Sequence, residues 1–112
     1  MVQTLRALAE PNRLRIVELL REKPRSVNEI VTRLRLKQPL VSKHLRTLSE
    51  TGLVLARPVA HQRFYALRAE PFAELEAWLD TFTTAWASQL DQFDDYLQVM
   101  KAEKRKRSGG SD

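Results

Sequence analysis

At 112 residues the chain is the size of one domain with one modest core. It contains no cysteine, which excludes disulfides, thiolate metal ligands and thiol redox sensing. The net charge of +5 is unevenly spread: residues 1–68 hold 14 Lys and Arg against 5 acids (+9), residues 69–98 hold 7 acids and no base (−7), and residues 99–112 hold 5 bases and 2 acids (+3). A basic first part is the footprint expected of a phosphate-binding surface. No run approaches the roughly 18 apolar residues of a membrane span, and the N-terminus lacks the basic-then-apolar order of a signal peptide. A reduced, cytoplasmic setting and no membrane partner are therefore expected.

Val2 to Ala9 reads as a short helix with Leu5, Leu8 and Ala9 on one side. Pro11 suits the first turn of a second helix, with Glu10 near its positive end. Leu14, Ile16, Val17, Leu19 and Leu20 make that helix apolar over a wide arc, as in a central core helix. Lys23-Pro24-Arg25 ends it. Ser26-Val27-Asn28-Glu29 has the S-x-x-E form of a capping box and opens a third helix, Val27 to Leu34. Arg35-Leu36-Lys37 is a turn.

The fourth helix follows. Pro39 fits its first turn, and Val41, Leu45 and Leu48 recur at helical spacing to form a buried face. With Val41 at zero and about 100° per residue, Ser42, Arg46, Pro39 and Lys43 fall between roughly 100° and 200°, opposite that face. His44 falls at about 300°, beside the core, which reads as structural. A helix with short polar groups and two cations outward suits the major groove of DNA, where Arg reads guanine edges and Lys, Ser and Gln meet phosphates or bases. The alternative is a solvated helix surface. Gly52 is a left-handed stop. Two helices of about 8 and 12 residues joined by a short turn form a helix-turn-helix.

Residues 53–57 and 63–67 are short strands rich in apolar and aromatic residues, linked by Pro58 to Gln62. A hairpin in that place is a wing, with Arg57, His61, Gln62 and Arg63 at its tip. The alternative is an ordinary exposed hairpin. Glu70-Pro71 then opens a long helix. Its stripe runs Phe72, Leu75, Trp78, Leu79, Phe82, Trp86, Leu90, Phe93, Leu97 and Met100, with Thr81–Thr84 as the place for a kink. A small domain does not cover so long a stripe, so part of it meets a second copy of the chain. Asp91, Asp94 and Asp95 read as a solvated face. Lys101 to Arg107 reads as a solvated basic helix end. Residues 108–112 read as disordered.

"LAEPNRLRIVELL" (8–20), "SVNEIVTRL" (26–34), "QPLVSKHLRTLSETGLV" (38–54) and "RFYAL" (63–67) resemble the ArsR/SmtB family of bacterial winged-helix repressors. The resemblance covers residues 3–70. It implies a mainly α fold with a small β-hairpin, a winged helix-turn-helix with a long C-terminal dimerisation helix. The division would be a DNA-binding domain over 1–70, a dimerisation helix over 71–105 within the same compact domain, and a disordered tail over 106–112. It further implies a homodimer on a palindromic double-stranded operator, usually repressing transcription and often its own promoter. Carried over position by position, the DNA-reading residues are Gln38, Pro39, Ser42, Lys43 and Arg46, with Arg57, His61 and Arg63 on the wing. The dimer interface would use Leu5, Leu8, Trp78, Phe82, Trp86, Leu90, Phe93 and Leu97.

Two departures stand out. The cysteine-bearing metal motif of the third helix is impossible here, and neither His44 nor His61 lies in the last helix, so no metal or other cofactor is expected. At the wing, Ala60 stands where Gly is common, and Pro58 is unusual. No Ser/His/Asp order or Gly-rich phosphate loop points to an enzyme. The rival readings are a winged-helix protein-interaction module and a regulator answering to an unidentified small ligand or metal.

Overall fold

The computed structural model describes residues 1–109. The elements are α1 (Val2–Leu8), α2 (Pro11–Leu20), β1 (Arg25–Ser26), α3 (Val27–Leu34), α4 (Gln38–Glu50), β2 (Val54–Val59), β3 (Gln62–Leu67) and α5 (Ala69–Gly109). The mainly helical reading with one small β element holds. The sheet, however, has three antiparallel strands in the order β1-β3-β2. The extra strand is the pair Arg25–Ser26, set against Tyr65 and Phe64. Two residues carry no periodicity, so only the extended N-cap of α3 hints at it.

Strands β2 and β3 pair from Val54↔Leu67 to Val59↔Gln62, leaving a two-residue loop, Ala60-His61. The five-residue linker read from the sequence is thus mostly strand. Pro58 is tolerated because β2 is an edge strand, where a missing N–H need not break a ladder. Only Ala60 of the loop pair takes a positive φ, 56°, the pattern of a II′ turn, which normally puts glycine there. This is the physical content of the glycine expected at position 60.

Buried apolar residues from α1, α2, α3, α4 and the start of the hairpin form one core: Ala7, Ile16, Val17, Leu20, Ile30, Val41, Leu45, Leu48, Leu53 and Val54. One expectation is corrected. Leu14 is 41% exposed, so α2 turns a narrower face inward than its composition suggests. Helix α1 buries Thr4 and Ala7, leaving Leu5 exposed and Leu8 half-buried.

Polar groups fix the helix ends. The Glu10 carboxylate accepts the Arg13 N–H at 2.8 Å and caps α2. Arg13 Nε donates to Ala7 O at 2.8 Å, and Arg15 Nη2 donates to Leu34 O at 3.1 Å, so two α2 cations satisfy the carbonyl ends of α1 and α3. Ser26 Oγ accepts the Glu29 N–H at 3.2 Å, the expected leg of the box. Glu29 does not return to the backbone. One of its oxygens takes the Ser26 hydroxyl at 3.4 Å and the other lies 3.5 Å from Arg25 Nη1.

Helix α4 ends in a Schellman motif. Leu53 N–H donates to Leu48 O at 2.9 Å and Gly52 N–H to Ser49 O at 3.1 Å, with Gly52 at φ 78°. Leu48 and Leu53, the apolar pair of that motif, are both fully buried.

The chain forms two compact units, Met1–Leu75 and Glu76–Asp112. From α5, Phe72 is partly buried and packs against the core of the first unit. In the second unit the helix is continuous through Thr81–Thr84. The Thr81 and Thr83 hydroxyls donate to Trp78 O (2.6 Å) and Leu79 O (3.1 Å) without interrupting it. The helix also runs through Gly109, so residues 106–109 of the expected tail are helical; the Lys/Arg run ahead of Gly109 favours helix and suits its negative end. The remaining tail residues, 110–112, lie outside the described residues.

Candidate nucleic-acid interface

On α4 the buried residues are Val41, His44, Leu45 and Leu48, a run of i, i+3, i+4 and i+7. Gln38, Pro39, Ser42, Lys43 and Arg46 are all exposed. The helix begins with Lys37 as N-cap and carries Pro39 in its first turn, with no acidic residue there. Its outward face is therefore cationic and polar at the end nearest the turn. Arg35, the C-cap of α3, reaches that turn by the left-handed conformation at φ 55°, ψ 43°.

Successive strand residues face opposite sides, and directly paired residues share a side. The register therefore puts Arg63 with Pro58, Ala56 and Tyr65 on one side, and Arg57 with Phe64 on the other. The first side turns toward α4. Ser42, Arg46 and Ser49 of α4 line a cleft of about 570 Å³ with Ala56, Arg63 and Arg68. The structure thus brings Ser42, Arg46 and Arg63 together. Arg57 is exposed on the far side of the hairpin, and His61 is exposed in its loop. Ser49 was open to the same spacing that found Ser42, being seven residues further along α4. Arg68 carried no such signal, since it follows the last strand residue.

His44 behaves as its place on the helix implied. It is 7% exposed, and its Nε2 lies 3.5 Å from Glu10 Oε2, joining the buried face of α4 to the start of α2. Desolvation pushes the Glu10 carboxyl upward. Backbone N–H groups of Arg13 and Asn12, then the charges of His44 and Arg13, outweigh it and hold the carboxyl below its ordinary value. One buried cation was not anticipated. Arg25 is 2% exposed and reaches Glu22 at 2.6 Å as well as Glu29. Among the described residues no cluster of His, Cys, Asp or Glu has the form of a metal site, and no helix is long and apolar enough to cross a membrane.

A capped helix, a left-handed turn, a second helix with an exposed cationic face and a hairpin beside it define a winged helix-turn-helix. Residues 10–55 match the family described as "Bacterial regulatory protein, arsR family". The chain is 41% identical over 73 residues to the HTH-type transcriptional repressor SmtB of Mycobacterium tuberculosis, covering 65% of this chain and 54% of that protein. It is 40% identical over 78 residues to the HTH-type transcriptional regulator Rv2034 of the same species, covering 70% and 73%. Its fold matches the solution structure of the homodimeric winged helix-turn-helix domain of Mb0332 from Mycobacterium bovis at a TM-score of 0.62 and 30% identity, over 73% of this chain and 76% of that one. The chain belongs to the ArsR family of bacterial regulatory proteins, a family of regulators and not of enzymes. It spans about half the length of the SmtB repressor that it matches.

Proposed function

We propose that the protein is a homodimeric, sequence-specific DNA-binding regulator of transcription, acting in the cytoplasm as a repressor on an inverted-repeat operator. The observation that carries this reading is the exposed face of α4, where Gln38, Pro39, Ser42, Lys43 and Arg46 stand opposite a fully buried Val41, Leu45 and Leu48. In this reading α4 enters the major groove. Arg46 contacts base edges, Lys43 and Ser42 contact phosphates or bases, and the hairpin lies against the backbone through Arg63, with Arg57 and His61 beyond it. A two-fold dimer sets two such helices about one DNA turn apart, roughly 34–36 Å, which makes the operator palindromic. The homodimer is supported by the exposed apolar residues of α5 and by the exposed Leu5 on α1. The Mycobacterium bovis structure is itself homodimeric.

The test is binding of the purified protein to a fluorescent duplex from its own upstream DNA, against a scrambled duplex, at two salt concentrations. The reading expects preference for the upstream duplex that survives the higher salt. Equal, salt-labile binding to both would reduce the surface to a non-specific polycation. A promoter–reporter fusion decides the sign of regulation: repression lowers its output when the protein is supplied.

A further inference from the structure

The cleft between α4 and the hairpin has two kinds of wall. Its rim is polar: the guanidiniums of Arg46, Arg63 and Arg68 and the hydroxyls of Ser42 and Ser49, all on exposed residues. Among the described residues that line it, none is acidic. Neither Arg46 nor Arg63 is paired with a carboxylate among the described residues. Arg68 Nε lies 3.7 Å from Glu70 Oε2, but the two side chains are 47% and 72% exposed, so water competes for that pair. The backbone fixes where Arg68 stands, because its N–H donates to Leu53 O at 2.9 Å, just ahead of β2. Guanidiniums gathered round one hollow without carboxylates form a site for an oxyanion, and their planar forks suit phosphate.

The floor is apolar. Val54, Leu55, Ala56 and Tyr65 line it, Val54 buried and the other three half-buried. Ala56 and Tyr65 are directly paired across β2 and β3, so the methyl group and the ring lie side by side on the face toward α4. An aromatic floor under a cationic rim fits a planar ring that carries a phosphate, since such rings stack on aromatic side chains. The volume agrees. About 570 Å³ falls within the roughly 300–1,000 Å³ of small-molecule pockets and leaves a bare phosphate ion without contacts on most sides. A duplex set against α4 brings phosphates to the rim, while its bases stay stacked and do not reach the floor.

We infer that this cleft binds a phosphorylated small molecule with a planar body, of the nucleoside monophosphate class, and that its occupant competes with DNA. The phosphate lies among Arg63, Arg68 and the Ser49 hydroxyl, and the ring lies on Ala56 and Tyr65. The competition rests on the operator reading proposed above: Arg46 and Arg63 serve the operator there, and neither guanidinium serves two anions at once.

The test titrates the four ribonucleoside 5′-monophosphates singly into the full chain at constant ionic strength, with the nucleosides and inorganic phosphate as controls. The amide NMR signals of residues 54–56, 65 and 68 should move with at least one monophosphate, and those of 76–107 should stay. Anisotropy of the fluorescent upstream duplex then reads the competition. With the monophosphate at about ten times its own Kd, simple competition lowers duplex affinity about elevenfold. Ala56→Phe fills the floor and Arg68→Ala removes one phosphate donor. In either variant that loss should shrink, measured against the variant's own nucleotide-free affinity. No signal movement at 54–56 with any monophosphate overturns the site. Equal binding of inorganic phosphate overturns it too, leaving a bare anion patch. Movement at 54–56 with undiminished duplex affinity overturns the competition. A protein that binds no duplex removes the competition together with the operator reading, while the signals at 54–56 still decide the site.

Discussion

Gly52 closes α4 and turns the chain into the hairpin, and its replacement by alanine isolates one physical cost. A Cβ built at this position meets nothing within 4 Å, so packing contributes neither clash nor contact. What remains is backbone: φ is 78°, a conformation that costs an L-residue about 1–2 kcal/mol. Alanine recovers roughly 0.4–1 kcal/mol by restricting the unfolded chain. The net expectation for Gly52→Ala is a destabilisation of about 1 kcal/mol, a fall in melting temperature of roughly 4–8 °C for a unit of this size. Both tryptophans, Trp78 and Trp86, lie in the second unit, so their fluorescence reports on the wrong part. The suitable assay is urea unfolding followed by the amide NMR signals of Leu45 and Leu48, with an unchanged denaturant slope. A loss of 3 kcal/mol or more would show that the site is sterically closed. No loss at all would show that the Schellman turn does not hold the end of α4.

Further outcomes follow from the same geometry. Ala60→Gly relieves the positive φ in the hairpin loop and should stabilise the first unit by up to about 1 kcal/mol in the same titration. Arg46→Ala should cost about 1–3 kcal/mol in operator binding and relax base preference at one position, whereas Lys43→Ala should weaken binding evenly across sequences; fluorescence anisotropy over a panel of operator variants separates the two. The Glu10 carboxyl is held below its ordinary value, so its unfolded form protonates first as pH falls. Its contribution is therefore present above the ordinary carboxyl range and lost as pH drops through the lower folded value. Urea midpoints at acidic pH should fall less steeply for Glu10→Gln than for the unmodified chain.

Much of this fold is written in local signals. The S-x-x-E box, Pro39 and Gly52 mark helix ends because capping and left-handed stops depend on a few neighbouring residues. The i, i+3, i+4, i+7 run of Val41, His44, Leu45 and Leu48 orients α4 by itself, and with it the exposure of Ser42, Lys43 and Arg46. What escaped depends on partners distant in the chain. The strand at Arg25–Ser26 exists only because β3 comes to lie beside it. The separation of Arg57 from Arg63 onto opposite hairpin faces needed the register Arg57↔Phe64 and Pro58↔Arg63. A tip read as a five-residue loop could not reveal it. Leu14 looked like core by composition, yet only a packed neighbour decides which side of α2 faces in.

The use of arginine inside the fold changes what the charge of the first 68 residues means. Three of its 14 cations already serve protein acceptors: Arg13 the end of α1, Arg15 the end of α3 and Arg25 two glutamates. Those guanidiniums are not free to displace counterions from DNA. If Lys43, Arg57 and Arg63 of two protomers neutralise about six phosphates, counterion release sets a slope of log affinity against log salt of about −5. A count of all 28 cations in the two first parts would put it more than three times steeper. The architecture that holds the helices in place thereby sets how sharply the protein lets go of DNA as ionic strength rises.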